Sequence, residues 1–141
     1  MSSSKPSISL LAYIIIILLV AGTCSAELTV AIFNTLPANA PPLDLHCKSG
    51  DDDLGPQTLG LSQMYTWKFY TNFWGTTLFW CNFWWDGKHA GFHVYDSTMM
   101  PYEVHGLLHF VYEARPDGFY FYTPDTYTSH TFQWQLVKKW E

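Results

Sequence analysis

The stretch Thr76–Tyr95, TTLFWCNFWWDGKHAGFHVY, limits the possible folds of this chain more than any other. Its first part, Leu78–Trp85, is almost entirely apolar or aromatic and suits a pleated, packed strand. Asp86-Gly87 follows, and this pair readily takes the positive φ angles of a short hairpin turn. Ala90–Tyr95 then alternates between two faces, as a returning strand does. Because Leu78–Trp85 carries large side chains at nearly every position, we expect it at the centre of a sheet with both faces covered.

The first 26 residues have the features of a secretory signal peptide. Met1–Ser7 is polar with one positive charge, Ile8–Ala21 is apolar, and small residues follow up to Ala26. This pattern predicts cleavage after Ala26 and an extracellular destination. A membrane-anchoring helix is the alternative, but the apolar run is shorter than the ~20 residues that span a bilayer. We expect residues 27–141 to form one secreted domain that does not insert into membranes.

Charge and composition restrict the partners of this domain. Removing the leader removes Lys5, so the net charge becomes one unit more negative than the −5 of the whole sequence. Nucleic acid and anionic membranes select basic patches, which makes both poor partners for an acidic domain. The chain contains 7 Trp, 9 Tyr and 10 Phe. We therefore expect a core built from large rings.

Cysteine usage agrees with a secreted protein. Cys24 lies in the predicted leader, which leaves Cys47 and Cys81. In an oxidising compartment, two remaining cysteines most simply form one disulfide. Two free, buried thiols are the alternative.

The remainder of the chain consists of short predicted strands separated by turns. Besides the central hairpin, the predicted strands are Leu28–Asn34, Leu43–Ser49, Thr58–Leu61, Met64–Tyr70, Gly106–Glu113, Phe119–Tyr122 and Thr131–Lys139. Gly50–Pro56 is predicted to be a charged turn and Asp96–Glu103 to be irregular. After the leader, no useful stretch has a helical period. Strands separated by turn signals every ~8–12 residues predict an all-β fold, specifically a small antiparallel β-sandwich.

Several motifs resemble the pattern of one plant family. The first motif is HCKSGDDDLG at residues 46–55, and Trp67-Lys68-Phe69 follows it. The next motifs are TTLFWCNFWW at residues 76–85 and FHVY at residues 92–95. An Asp-Gly-aromatic hairpin comes later, at Asp117–Tyr120. Over essentially the whole predicted domain, the chain is similar to the plant self-incompatibility S-protein homologues, whose founding members are the stigmatic self-incompatibility proteins of poppy.

The resemblance implies a fold and a function. Family members are small secreted β-sandwich proteins, and the poppy proteins are extracellular ligands that meet a pollen surface receptor and trigger rejection of self pollen. The implied partner is therefore a plant plasma-membrane receptor, and the resemblance implies a signalling or recognition protein and not an enzyme. We expect the protein to be a monomer. Members usually have four cysteines in two disulfides. Cys47 and Cys81 match two of them, but this chain lacks the C-terminal pair.

In such a family, partner recognition is expected in the loops between strands. The candidate loops are Thr35–Pro42, Gly50–Pro56, Thr71–Gly75, Asp96–Glu103 and Thr123–His130. We expect Gly50–Pro56 to contribute the charges of Asp51, Asp52 and Asp53. We expect Thr71–Gly75 to contribute Phe73 and Trp74 as aromatic anchors for a partner's pocket.

Metal chemistry is a weaker hypothesis. Clustered carboxylates such as Asp51-Asp52-Asp53 suit calcium, but successive side chains of an extended segment cannot all face one ion. We expect instead a solvated loop in which one aspartate accepts hydrogen bonds from turn amides. His89 and His93 are four positions apart, ~13 Å on a strand, and cannot chelate together. His46 is expected to form a charge-assisted bond to the acidic turn.

The sequence bears on two further function classes, an enzyme and a carbohydrate-binding module. No nucleophile–base pattern such as G-x-S-x-G is present, so we predict no catalytic residue and no cofactor. The second hypothesis is a lectin-like module that binds carbohydrate of the cell wall. Trp74, Trp84 and Trp85 lie at or beside turns, and exposed rings of this kind can stack on sugars. The alternative, which we expect for most of these three rings, is that they pack in the core.

Overall fold

The computed structural model describes residues 9–21, 26–72, 74–124 and 131–141, which form one helix and ten strands. The helix α1 spans Leu10–Ala21. Most of its side chains from Leu10 to Ile17 are exposed. Within the described ranges, no helix combines the length and apolarity needed to cross a membrane. Cleavage after Ala26 stays a prediction, and Cys24 lies outside the described residues.

The strands form two sheets. The strands are β1 Glu27–Asn34, β2 Leu43–Ser49, β3 Asp53–Leu59, β4 Met64–Tyr70, β5 Phe79–Trp85, β6 Lys88–Tyr95, β7 Tyr102–Val104, β8 Leu107–Arg115, β9 Gly118–Pro124 and β10 Phe132–Lys139. Sheet A has the order β10-β9-β8-β1-β4, with β7 also paired to β8, and sheet B has the order β3-β2-β5-β6. The ring centroids of Phe83 in β5 and Phe119 in β9 are 4.2 Å apart, so the two sheets pack face to face. The all-β sandwich prediction is confirmed.

One pair of strands departs from the antiparallel pattern. The chain passes from sheet A to sheet B and back twice, so β1 and β8 meet although they are distant in sequence. They pair in parallel, with Val30 opposite Phe110 and Ile32 opposite Tyr112. All four of these side chains are buried. The inner faces of β1 and β8 therefore contribute to the centre of the core.

The central hairpin forms as predicted. Asp86 and Gly87 have φ angles of 49° and 74° and connect β5 to β6. β5 lies between β2 and β6, inside sheet B. Cys81 lies opposite Cys47 on β2, and the two form the predicted disulfide.

The expectation that both faces of β5 are covered is wrong. The alternate residues Phe79, Cys81, Phe83 and Trp85 are buried, but Trp84 on the other face is 44% exposed. A two-layer sandwich covers only the inner face of each sheet. No third layer covers the outer face of β5 among the described residues, so its outer rings are partly exposed.

The largest boundary difference is in β3, which was predicted as Thr58–Leu61. β3 begins at Asp53, so residues 53–56 belong to a strand and not to a turn. Gly55 has a φ of 75°, and the pairing register with β2 shifts near it. This irregularity accommodates Pro56, whose missing N–H is tolerated on an edge strand.

The short strand β7 lies in a segment that was predicted to be irregular. It is joined to β8 by His105 and Gly106, whose φ angles are 51° and 78°. Two-residue hairpin turns of this kind usually carry Asn-Gly or Asp-Gly, and histidine, although it tolerates positive φ better than most residues, is not part of that sequence signature.

Among the described residues, Asn34 is the buried polar side chain of the core, with 2% exposure. Its Nδ2 donates hydrogen bonds to the carbonyl oxygens of Leu59 and Gly60, at 2.9 and 3.1 Å. Its Oδ1 accepts a hydrogen bond of 3.0 Å from the Leu36 N–H. One amide thus ties the end of β1 to the end of β3.

The two sides of the sandwich differ. On one side, His89 of β6 and Glu141 exchange backbone hydrogen bonds of 2.9 and 2.8 Å, which link the end of the chain after β10 to sheet B. On the other side, β3 and β4 are the edge strands of their sheets. β3 carries Pro56 and the distortion at Gly55, and β4 carries Lys68, whose Nζ lies 3.0 Å from Oε1 of Glu27.

Candidate functional site

Three of the five predicted loops lie at the same end of the sandwich. Phe79, the first residue of β5, is opposite both Ser49 at the end of β2 and Tyr95 at the end of β6. The segments after Ser49, before Phe79 and after Tyr95 therefore meet. We call residues 50–52, 71–72, 74–78 and 96–101 the loop surface.

The other two predicted loops are not part of the loop surface. Thr35–Pro42 lies at the opposite end, where the Thr35 N–H donates to the carbonyl of Ala114 at 3.2 Å. Residues 125–130 of the Thr123–His130 loop lie outside the described residues, and so does Phe73.

The turn after β2 is closed by Ser49. Its N–H donates to the carbonyl of Asp52 at 2.7 Å, and its Oγ accepts a hydrogen bond of 3.0 Å from the Asp52 N–H. Asp51 and Asp52 are exposed at the tip of this turn. A short turn with a fixed backbone thus presents two carboxylates to solvent.

Asp53 has a different role from its two neighbours. Its Oδ1 lies 2.5 Å from Nε2 of His46 and accepts a hydrogen bond of 2.9 Å from the Gly55 N–H. The bond to His46 first, and then the Gly55 N–H, lower the pKa of this carboxyl below its ordinary value. The predicted His46 bond and the predicted aspartate cap are both confirmed. Both are made by Asp53, whose carboxylate therefore stabilises the local structure.

Neutralising Asp53 is expected to reveal this pairing as a pH-dependent loss of stability. Because the folded-state pKa is lowered, the carboxylate stabilises the fold above its unfolded pKa of 3.8, and the effect disappears as pH falls through the folded pKa. Asp53→Asn should slightly lower the thermal midpoint at about pH 6, since exposed pairs contribute little, and the difference should vanish at about pH 2. Asp51→Asn, in the same turn, is the control; an equal effect of both variants would contradict the assignment.

Asn72 organises the segment that precedes β5. Its Oδ1 accepts a hydrogen bond of 2.9 Å from the Thr76 N–H, and its Nδ2 donates to Oγ1 of Thr76 at 2.8 Å. Its own N–H donates to Oγ1 of Thr77 at 2.8 Å. Trp74 lies inside this closed loop and is 80% exposed. The loop thus holds a large ring in contact with solvent.

Asp96 organises the third segment in the same way. Its Oδ1 accepts hydrogen bonds from the N–H of Thr98, at 2.8 Å, and from the Thr98 hydroxyl. The hydroxyl contact is the main cause of the lowered pKa of Asp96. Sequence reasoning missed Asn72 and Asp96. The available signal was the tendency of Asn and Asp side chains to bond to nearby backbone N–H groups in turns.

A depression of about 360 Å³ separates the first two segments of the loop surface. Ser49, Gly50 and Asp51 line one side, and Asn72, Thr76 and Thr77 line the other, with Trp80 also contributing. The two loops predicted to carry charge and aromatic rings are therefore neighbours. Hydroxyls, amides and a carboxylate around this depression suit polar recognition.

The described residues show no group of three or more His, Cys, Asp or Glu side chains placed to hold a metal ion. The tryptophans named for sugar stacking have different positions. Trp85 is buried at 7% exposure and packs on Trp140, with ring centroids 5.7 Å apart, so it serves the core and is not available to stack on sugars. Trp84 is on the outer face of sheet B, where Trp80, which sequence reasoning overlooked, also lies.

Comparison with known proteins identifies the family. The sequence pattern of the family described as plant self-incompatibility protein S1 matches residues 29–140. The chain is 30% identical to S-protein homolog 21 from Arabidopsis thaliana over 122 residues, which cover 82% of this chain and 89% of that relative. It is 47% identical to S-protein homolog 5 from Arabidopsis thaliana over 57 residues, or 40% of this chain. That match spans only 44% of the relative's length.

A solved structure shares the fold. It belongs to SPH (self-incompatibility protein homologue) proteins, described as a widespread family of small, highly stable, secreted proteins from plants. The TM-score is 0.60 at 23% sequence identity, and the match covers 84% of this chain and 97% of the other. Together with the match over residues 29–140, these similarities show that the chain belongs to the plant self-incompatibility protein S1 family.

Proposed function

We propose that this protein is a secreted, non-enzymatic ligand of a receptor on the plant plasma membrane, and that the loop surface makes the contact. Membership of the self-incompatibility family supports an extracellular recognition role. The predicted signal peptide and the Cys47–Cys81 disulfide are consistent with secretion.

The single observation that carries the proposal is the convergence of two predicted recognition loops around one depression. Asp51 and Asp52 present charge on one side, and the exposed ring of Trp74 lies in the segment on the other. Aromatic rings anchor many protein interfaces, whereas peripheral charges set selectivity and association rate. Hydrogen bonds within each loop fix the backbone before binding, which lowers the entropic cost of association.

Capture from plasma membranes tests this proposal. The full chain is expressed with its own leader, and the secreted protein is immobilised and exposed to solubilised plasma membranes. We expect Trp74→Ala and the double variant Asp51→Asn/Asp52→Asn each to reduce capture of the same membrane protein by about tenfold or more.

The matched control lies at the opposite end of the sandwich. Ala38→Lys/Asn39→Lys alters two exposed residues and changes the net charge by the same two units as the aspartate variant. It should capture the partner as the parent protein does. Unchanged capture by both loop variants, or equal loss in the control, would remove the loop surface from the proposal.

A further inference from the structure

The outer face of β5 carries a regular row of side chains. Because alternate residues of β5 face the core, Trp80, Asn82 and Trp84 share the outer face. The two indoles are four positions apart, about 13 Å along the strand. Trp84 is 44% exposed, and Trp80 and Asn82 are partly exposed.

Polar residues border this row on both neighbouring strands. On β2, Lys48 is opposite Trp80 and Asp44 is opposite Trp84. On β6, His93 and His89 are opposite the same two indoles. An amide between two indoles is thus surrounded by groups that can donate and accept hydrogen bonds.

Gly91 leaves space beside Asn82, in the middle of the row, because it has no side chain. It is opposite Asn82 on β6, and a Cβ atom at this position would lie 2.7 Å from Oδ1 of Asn82. That Oδ1 is also 3.1 Å from Nε2 of His89. The absence of a side chain at residue 91 therefore lets the Asn82 amide extend across β6 towards His89.

Two depressions follow the row and share His89. One, of about 350 Å³, lies along Trp80, Asn82 and Gly91, with Lys138 and Glu141 on its far side. The other, of about 290 Å³, lies beside Trp84 and Asp44. Nζ of Lys138 is 2.6 Å from Oε1 of Glu141, so these two charges are already paired. We call Trp80, Asn82, Trp84, His89 and Gly91 the β5 track.

This chemistry favours a sugar chain over other ligands. The C–H faces of sugar rings can stack on indoles, and sugar hydroxyls can bond to amide, imidazole, ammonium and carboxylate groups. The bordering charges are of both signs, which gives no preference for an anion or a cation. A peptide strand cannot add here, since β5 already pairs on both edges. A straight track along one strand suits an extended chain.

We propose that the β5 track binds an extended, neutral β-linked oligosaccharide, with sugar rings stacked on Trp80 and Trp84 and hydroxyls bonded to Asn82 and His89. The β5 track shares Trp80 with the depression of the loop surface, but sugar binding does not depend on the receptor and its test needs no receptor. It also places sugar contact on Trp80 and Trp84, not on Trp74 or Trp85.

Titration with defined hexasaccharides tests the proposal on the secreted protein. The probes are cellohexaose, which is neutral, β-linked and extended, and hexagalacturonate, which is anionic. Binding is followed by calorimetry and by indole fluorescence. We expect cellohexaose to bind, and Trp80→Ala and Trp84→Ala each to weaken its affinity roughly tenfold. Gly91→Ala should also weaken binding, because the new methyl group displaces the Asn82 amide.

Controls separate this site from general surface effects. Tyr70→Ala removes a ring that is 60% exposed on sheet A and should leave the affinity for cellohexaose unchanged. Trp80→Phe and Trp84→Phe keep a ring for packing and should bind more tightly than the alanine variants, and thermal unfolding reports whether each variant is folded. No binding of cellohexaose, binding of hexagalacturonate alone, or equal affinity in both folded alanine variants and the parent would overturn the proposal.

Discussion

Replacing Cys47 and Cys81 together by alanine is expected to lower the free energy of unfolding by about 3–4 kcal/mol. The disulfide joins residues 34 positions apart in sequence. Without it, the unfolded chain gains the conformational freedom of an open loop. Both sulfurs are also buried, with 0% and 1% exposure at the two residues, so the truncation removes packing from the interior of sheet B. Urea denaturation of the purified protein measures the loss.

Two comparisons separate the contributions of the crosslink and the packing. Parent protein with its disulfide reduced retains both sulfur atoms and should lose most of the same stability. The single variant Cys81→Ser leaves the Cys47 thiol without its partner and adds a buried hydroxyl, so we expect little folded protein to be secreted from cells that express it. Normal secretion of that variant, or a loss below about 1 kcal/mol in the double variant, would contradict a dominant role for the disulfide.

Asn34→Ala is expected to lower the free energy of unfolding by about 3 kcal/mol, since unsatisfied buried polar groups cost roughly 1–3 kcal/mol each. The substitution removes the hydrogen bonds that Asn34 makes with the Leu59 carbonyl and the Leu36 N–H, both on buried residues. It also removes one bond to the partly buried Gly60 carbonyl, which keeps its bond from the Gln63 N–H. Water has little access to replace these bonds. Chemical denaturation provides the measurement, and the thermal midpoint should fall in parallel.

Asn39→Ala is the matched control for this prediction. Asn39 is exposed in the loop that follows β1, and surface substitutions of this kind usually change stability by less than about 0.5 kcal/mol. Asn34→Asp keeps an acceptor for the Leu36 N–H but loses both donated bonds and buries a carboxylate facing two carbonyl oxygens, so it should destabilise the fold at least as much as Asn34→Ala. A similar, small effect of Asn34→Ala and Asn39→Ala would mean that the buried amide is not required.

Sequence patterns predicted the elements whose cause is local. The alternation in Leu43–Ser49 and Met64–Tyr70 gave both strands with the observed bounds. Asp86-Gly87 gave the hairpin turn, and two remaining cysteines gave the disulfide. The strands and the turn are determined by residues close in sequence. The disulfide was predictable because two cysteines in an oxidising compartment pair with each other.

The missed features depend on distant partners. The parallel pairing of β1 with β8 requires two passages between sheets, which no local pattern specifies. Trp80 and Trp84 resemble core residues by composition, and only their position on the outer layer of a sandwich leaves them accessible. The candidate loops were correctly expected between strands, but their grouping around one depression follows from the register of Phe79 with Ser49 and Tyr95.

The unequal sides of the sandwich affect how copies of this protein meet one another at high concentration. Unpaired strand edges are templates for edge-to-edge association and fibril growth. The backbone exchange between His89 and Glu141 occupies donors and acceptors of β6 on one side. On the other side, Pro56, the bend at Gly55 and the charge of Lys68 make β3 and β4 poor surfaces for another strand. A small sheet protein built in this way can accumulate outside the cell, beyond the reach of cytosolic chaperones, while its edges resist intermolecular sheet formation.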